Sequence, residues 1–399
     1  MLTKYFSNAI QVIDHIEKHG YEAYFVGGCV RDLLLERQQG DIDIATSATP
    51  QEIQNLFKKV IPVGIEHGTV IVRYQGESFE VTTFRMDGNY SDKRHPDDVQ
   101  FIKNIEGDLA RRDFTINALA MNKFGDIIDP FGGKEDLQKR QLRTVGNGRD
   151  RFLEDPLRII RAIRFSSQLG FTIENNTKEA IIDCRSNIKD LAVERVTNEM
   201  GKFFSGTYLE NGLYYLKACA IQNYLPVFRH HPELIELLPK QMEPIETFGE
   251  VITLFHLLNR DISIQTWAKA WKCSNHVKNQ AEHLRNSIQY YEKHGADKWF
   301  VYKTKPMYFN MIARLISILF DRKLDENKLH QLYRELPIHS RSELKINGTD
   351  IVAVHAAFPK GAWIERLLQT LEKAVVEGEL ENDKTILREW VTCNPPEIN

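Results

Sequence analysis

A short apolar run, Tyr24-Phe25-Val26, leads into Gly27-Gly28-Cys29-Val30-Arg31-Asp32, and Asp41-Ile42-Asp43-Ile44 follows. This arrangement constrains the fold most, because each part asks for a definite backbone. The run reads as a buried strand and Val30 to Leu35 as a helix, which leaves the two glycines to make the turn between them. Backbone N–H groups at such a helix start can receive a triphosphate. Asp41 and Asp43 read as part of a second strand, where residues two apart share a face. Two carboxylates on one face can grip Mg²⁺ ions, which activate an attacking hydroxyl and neutralise a departing pyrophosphate. A Gly-Gly pair alone marks a turn, and a lone Asp-x-Asp a solvated strand edge. In this order and spacing they point to nucleotidyl transfer.

The rest of the chain fits an α+β class, a mixed α/β head followed by an all-helical remainder. Up to Arg143, strand-like runs such as 69–74 and 78–84 alternate with helical ones such as 50–60, where Thr49-Pro50 supplies an N-cap and a first-turn proline. Beyond Arg143 the strands are expected to vanish, and apolar residues such as Leu157, Ile160, Ala162, Ile163 and Phe165 recur at helical spacing. Soft breaks near Ser205-Gly206, His294-Gly295 and Asn347-Gly348 accompany a division into a head (1–143), a neck (144–206), a body (207–295) and a tail (296–399).

At 399 residues with 42% hydrophobic content, the chain can build more than one core. It has no apolar run of about 18 residues and no secretory leader, so no membrane partner is expected and the cytoplasm is the expected compartment. Cys29, Cys184, Cys219, Cys273 and Cys393 are scattered and lack Cys-x-x-Cys spacing, which argues against a disulfide framework and structural zinc. The net charge of −3 gives no global hint of a polyanionic partner. Yet residues 139–164 hold eight Lys or Arg against three acids, a stretch onto which a phosphate-rich partner could dock. From charge alone a solvated basic helix face is the plainer reading.

Three further groups carry chemistry. Glu80 falls on a strand whose neighbours Phe79 and Val81 point the other way, so it can join the aspartate pair as a third carboxylate. In Arg111-Arg112-Asp113-Phe114-Thr115-Ile116-Asn117, helical spacing sets Asp113 and Asn117 on one side. There they could grip ribose hydroxyls while Arg112 reaches phosphate. In Glu154-Asp155-Pro156-Leu157-Arg158-Ile159-Ile160-Arg161-Ala162-Ile163-Arg164, Pro156 marks a helix start, with Asp155, Arg158 and Arg161 stepping along one side. A carboxylate accepts from an exocyclic amine and a guanidinium donates to a ring nitrogen, so Asp155 with Arg158 can read cytosine and adenine alike. Guanine and uracil reverse that polarity and leave buried polar groups unpaired, at about 1–3 kcal/mol each. An ordinary acid at a helix start with arginine partners is the plainer alternative. Residues 85–96, polar and turn-rich, read as a mobile loop near the site, or as a plain surface loop.

Taken together, Gly27-Gly28-x-Val30-Arg31-Asp32, Asp41-Ile42-Asp43, Arg111-Arg112-Asp113 with Asn117, and Glu154-Asp155 with Arg158 and Arg161 resemble the class II CCA-adding tRNA nucleotidyltransferases of the DNA polymerase β-like superfamily. The resemblance spans roughly residues 20 to 206. It implies two Mg²⁺ ions on Asp41 and Asp43 with Glu80 nearby, and nucleotide contacts from Gly28, Arg31, Arg112, Arg161 and Arg164. It implies that Asp155 and Arg158 serve as a protein template for CTP and then ATP. It also implies a neck buttressed by Glu194-Arg195 with Glu199, and a tRNA partner held at its 3′ end and elbow; a homodimer is compatible with it. Bacterial poly(A) polymerases share the head but usually carry an arginine-rich segment where this chain reads Val63-Gly64-Ile65-Glu66-His67-Gly68-Thr69-Val70. Enzymes that add only CC lack much of the loop present here as Arg85-x-Asp87-Gly88-x-Tyr90-x-Asp92-x-Arg94, followed by His95 where many relatives have Arg. The absence of a His-Asp dipeptide implies that the phosphohydrolase domain appended in some relatives is missing. A non-catalytic RNA-binding protein is the alternative from another class.

Overall fold

The computed structural model describes residues 4–38, 40–88, 99–239 and 242–395. Two compact units divide the chain, Met1–Pro244 and Ile245–Asn399.

The first unit opens with helix α1 (Ser7–Lys18), whose buried Ala9, Val12, Ile13 and Ile16 form an apolar stripe at helical spacing. Strand β1 (Ala23–Val26) runs into helix α2 (Gly28–Leu34), and β2 (Asp43–Thr46) returns antiparallel to β1. Helix α3 (Pro50–Leu56) starts on a complete capping box between Thr49 and Glu52. Strands β3 (Val60–Gly64), β4 (Thr69–Tyr74) and β5 (Glu77–Thr83) form an antiparallel meander, and β5 pairs parallel with β2. A separate two-stranded ribbon, β6 (Arg85–Asp87) with β7 (Val99–Phe101), precedes helix α4 (Ile105–Ala110). With β8 (Ala120–Met121) and β9 (Ile127–Ile128), the main sheet has the order β3-β4-β5-β2-β1-β8-β9. One core beside it gathers Val26, Ala45, Phe84, Ile105, Leu109, Ala118, Ala120 and Val145. The loop expected over 85–96 contributes β6 at its start; residues 89–98 lie outside the described residues.

After helix α5 (Gly133–Lys139), strand β10 (Gln141–Leu142) pairs parallel with β11 (Thr172–Ile173). Strands therefore do not end at Arg143, as the sequence suggests; two residues of each segment are too short to leave a periodic signal. Helices α6 (Gly148–Glu154), α7 (Leu157–Leu169), α8 (Asn175–Cys184), α9 (Val193–Phe204) and α10 (Leu209–Ala218) complete this part. Helix α7 packs against α9 and α10, and its buried residues include Arg158 and Arg164 besides its apolar positions. Its end is set by Gly170 in the left-handed region at φ 71°.

Two local expectations are corrected. Asp41 lies just before β2 rather than on it, although burial still alternates from exposed Asp41 through buried Ile42 to half-buried Asp43. Residues 111–119 form no α-helix: a turn precedes a 3₁₀ segment, Thr115–Asn117. The reason is competition for backbone groups. Thr115 N donates to Arg143 O at 2.9 Å and Val145 N to Asp113 O at 3.1 Å, which holds buried Phe114 extended against Thr144.

Among its described residues the second unit is helical, from Phe248–Leu258 to Lys384–Cys393. Fully buried Glu250 is held by Arg314 at 2.6 Å, and Tyr302 donates to Glu372, which also receives Arg341. Among the described residues no helix is long and apolar enough to cross a membrane.

Candidate active site

A cleft of about 650 Å³ opens in the first unit where the start of α2, the approach to β2, the 111–117 turn, α7 and α9 meet. Its wall includes Gly28, Arg31, Asp41, Asp43, Arg112, Asp113, Asn117, Asp155, Arg158, Arg161 and Arg164. Residues from four separate stretches of sequence thus meet at one place. Glu80 is not part of that wall, but it is the register partner of Asp43 across the parallel β2–β5 pair, so the two carboxylates stand side by side.

The turn before α2 needs glycine at one position. Gly27 has φ 70°, and a Cβ there would lie 2.9 Å from Arg112 Nη1. Gly28 lies outside the left-handed region, and a Cβ on it would come no nearer than 3.7 Å, to Arg31 Nη2. Burial, then the charge of Glu80, against the pull of Arg112 and with a smaller push from Asp41, raises the Asp43 carboxyl to about 6. These hard oxygen donors are crowded against their own charge, which suits a divalent cation. Among the described residues no three His, Cys, Asp or Glu side chains form a metal cage. An ion on Asp41 and Asp43 would complete its shell from water and phosphate oxygens, as Mg²⁺ commonly does.

The cations of the cleft are held by a chain of acids and amides. Arg31 donates to both oxygens of Asp32 at 2.9 Å and to Asn117 Oδ1 at 2.7 Å. Asn117 Nδ2 donates to Asp113 Oδ1 at 3.0 Å, and Asp113 Oδ2 receives Arg161 Nε at 2.7 Å and Nη2 at 2.6 Å. Glu199 on α9 pairs with Arg164 at 2.7 Å and lies 3.8 Å from Arg161. Burial works against the Asp113 charge, but the Arg161 charge, the Asn117 and Arg161 hydrogen bonds and the Arg158 charge hold its carboxyl well below the usual range. Burial and the neighbouring Arg161 and Arg31 charges lower Arg164 to about 10, although Glu199 and Asp113 oppose the shift. Arg112 is tied to buried Asp108 at 3.0 Å, and its buried Nε has no hydrogen-bond acceptor among the described residues. The wall carries more cationic side chains than carboxylates, a surplus that a triphosphate would neutralise.

Asp155 and Arg158 both face the cleft but are tethered. Asp155 Oδ1 accepts from Leu157 N at 3.0 Å, fixing the entry to α7, and Oδ2 accepts from Arg195 at 2.7 Å. Arg158 is 9% exposed and donates to Glu154 at 2.7 Å, to Arg151 O at 3.2 Å and to Arg111 O at 3.0 Å. Such tethers fix the direction in which each polar edge faces the cleft. Sequence reasoning gave no role to Lys202, which also lines the cleft, and took Phe165 for ordinary helix core. Nothing in the spacing marks Lys202. Phe165 could have been suspected from its place directly after Arg164 and one helical turn after Arg161.

Three family models match successive parts of the chain. The family model described as "Poly A polymerase head domain" matches residues 23–143, that described as "Probable RNA and SrmB- binding site of polymerase A" matches 170–231, and that described as "tRNA nucleotidyltransferase domain 2 putative" matches 245–391. The crystal structure of the Bacillus stearothermophilus CCA-adding enzyme in complex with CTP is 34% identical and superposes with a TM-score of 0.89, covering 98% of this chain and 97% of that one. The Thermotoga maritima CCA-adding enzyme complexed with tRNA, 21% identical with a TM-score of 0.63, shares the fold over 98% of this chain and 96% of its own. The CCA-adding enzyme of Anoxybacillus flavithermus is 40% identical and that of Oceanobacillus iheyensis 48% identical, each matched over 100% of both chains. A head model shared with poly(A) polymerases does not by itself separate the two activities, but identity at this level from first residue to last does: the chain belongs to the CCA-adding enzymes.

Proposed function

We propose that this cleft adds C, C and A to the 3′ end of tRNA, taking CTP and ATP as substrates, releasing pyrophosphate and using no nucleic acid template. The observation that carries the reading is the meeting of the Asp41 and Asp43 carboxylates, the arginine group and the Asp155–Arg158 pair in one cleft. Asp41 and Asp43 would hold two Mg²⁺ ions, with Glu80 beside Asp43. Held by these carboxylates, the ions would supply the Lewis acidity that favours ionisation of the tRNA terminal hydroxyl and offsets charge on the leaving pyrophosphate. That hydroxyl attacks the α-phosphate, the bond to the β-phosphate breaks, and the arginines keep the departing oxygens in place. Arg31, Arg112, Arg161 and Arg164 would face the triphosphate beside the backbone at Gly28. Asp113 and Asn117, whose polar atoms are engaged with Arg161 and Arg31, act in this reading as braces for those arginines more than as a ribose clasp.

Asp155 would accept from the exocyclic amine of cytosine or adenine, and Arg158 would donate to the adjoining ring nitrogen. The finer division into head (1–143), neck (144–206), body (207–295) and tail (296–399) belongs to the same proposal, with the tail holding the tRNA elbow. A tRNA substrate makes the cytoplasm the working compartment. The test is incorporation of labelled CTP and ATP into tRNA lacking its 3′ end. Addition of two C residues and one A is expected, and Asp41→Ala or Asp43→Ala should abolish it, by at least about a thousandfold if the two-metal chemistry is lost. Repeated AMP addition without use of CTP would overturn the reading in favour of poly(A) synthesis.

A further inference from the structure

Phe165 is 4% exposed and lines the cleft, yet it has neither charge nor hydrogen-bonding group to offer a nucleotide. Around its single ring stand three guanidinium carbons, Arg164 at 4.0 Å, Arg31 at 5.2 Å and Arg161 at 5.3 Å from the centroid. Contacts of this kind average about one per 70–80 residues, so three on one ring is a built feature rather than incidental packing. The arginines come from two parts of the unit: Arg31 from α2 beside the sheet, Arg161 and Arg164 from α7. Their carboxylate and amide partners, Asp32, Asn117, Asp113 and Glu199, grip guanidinium edges. An edge grip sets where a guanidinium sits and limits its tilt; an aromatic face beneath it restrains the plane further.

We propose that Phe165 is a positioning residue for the triphosphate: its ring orients the planes of Arg31, Arg161 and Arg164 so that their remaining N–H groups are aimed together before substrate arrives. Like charges this close repel one another, and the electron-rich faces of the ring offset part of that repulsion where water is excluded. Phe165 also packs edge-on against Phe114, with centroids 5.8 Å apart, which holds the ring itself still. The inference rests on the cleft taking a nucleoside triphosphate. It adds a specific consequence: the ring acts on triphosphate affinity, while base choice, made at Asp155 and Arg158, is untouched.

The test uses the full chain with tRNA lacking its 3′ end, CTP and ATP as substrates, and inorganic tripolyphosphate as competing probe. Phe165→Leu, which fills the space without an aromatic face, should raise KM for both nucleotides and Ki for tripolyphosphate by the same factor, about tenfold. The kcat should stay within about twofold, the pattern of lost uniform binding, and CTP-over-UTP preference should not move. Phe165→Tyr, which keeps the face, should restore KM to within about twofold of the parent. Because Phe165→Leu can also loosen the Phe114 contact, a second series replaces Phe165 with mono-, di- and trifluorinated phenylalanines, which keep the shape while draining the ring's negative face. A stepwise rise in KM and in tripolyphosphate Ki supports the proposal. A flat fluorination series, or a folded Phe165→Leu protein with parental KM, overturns it. Failure of the unaltered protein to use CTP and ATP at all would overturn the triphosphate reading itself, and this proposal with it.

Discussion

Asp113 shows how much of the cleft depends on single charges. Burial alone would favour its neutral form, yet Arg161, which donates twice to Oδ2, Asn117 and the nearby Arg158 charge keep the folded carboxyl well below its ordinary range. A carboxyl depressed in the folded state contributes stability above the unfolded carboxylate range and loses it as pH falls toward the folded value. Asp113→Asn should therefore destabilise the protein at pH 7 by about 3 kcal/mol, since Arg161 loses its buried counter-charge. It should also flatten the decline in stability between about pH 5 and pH 2. Urea unfolding across that range, in parent and variant, checks both effects. The residue types at this position and at 161 were legible in the sequence; their pairing was not, because the partners are 48 positions apart and no local periodicity links them. Asp43 and Glu80 were more legible one by one, since alternation along a strand is short-range geometry; the parallel register that sets them side by side is a long-range pairing and was not. Phe165 shows the reverse: its helical spacing read as core, and although Arg161 and Arg164 are its neighbours on α7, Arg31 reaches the ring only where α2 meets α7.

At the level of elements, the strand–turn–helix from β1 into α2 is the piece that sequence specified best. Its two glycines nonetheless do different work. Gly27→Ala must place a side chain at φ 70° and within 2.9 Å of Arg112 Nη1, so it should cost about 1–3 kcal/mol and raise KM for CTP and ATP by displacing Arg112. Gly28→Ala meets no such contact, so thermal unfolding should change little; a rise in its KM would report directly on how closely the triphosphate approaches this backbone. Thermal melts beside steady-state kinetics on the two variants separate these effects. The element most misread was 111–119, where i,i+4 spacing suggested a helix and the backbone instead pairs with 143–145. Propensity is local, and that pairing is made across about 30 residues. The β10–β11 pair escaped for the same reason, while α7, marked by Pro156 and a sustained apolar period, was legible almost in full.

Across the whole molecule, the residues proposed to act on metal, triphosphate and base, Asp41, Asp43 and Glu80, the cleft arginines and Asp155 with Arg158, all lie in the unit formed by Met1–Pro244. The second unit, matched along 245–391 by the tRNA nucleotidyltransferase domain 2 model, supplies buried ion pairs such as Glu250–Arg314 to its own core. Selection of the nucleotide should then be a property of the cleft's side chains and not of any strand laid against it. The most direct measurement is the ratio of kcat/KM for CTP to that for UTP on tRNA lacking its 3′ end, in the parent and in the Asp155→Ala, Arg158→Ala double variant. A site that reads a base through two tethered polar groups should lose about tenfold or more of that ratio when both are removed, with the KM for CTP rising less. An unchanged ratio in a folded, active double variant would contradict a template made of protein.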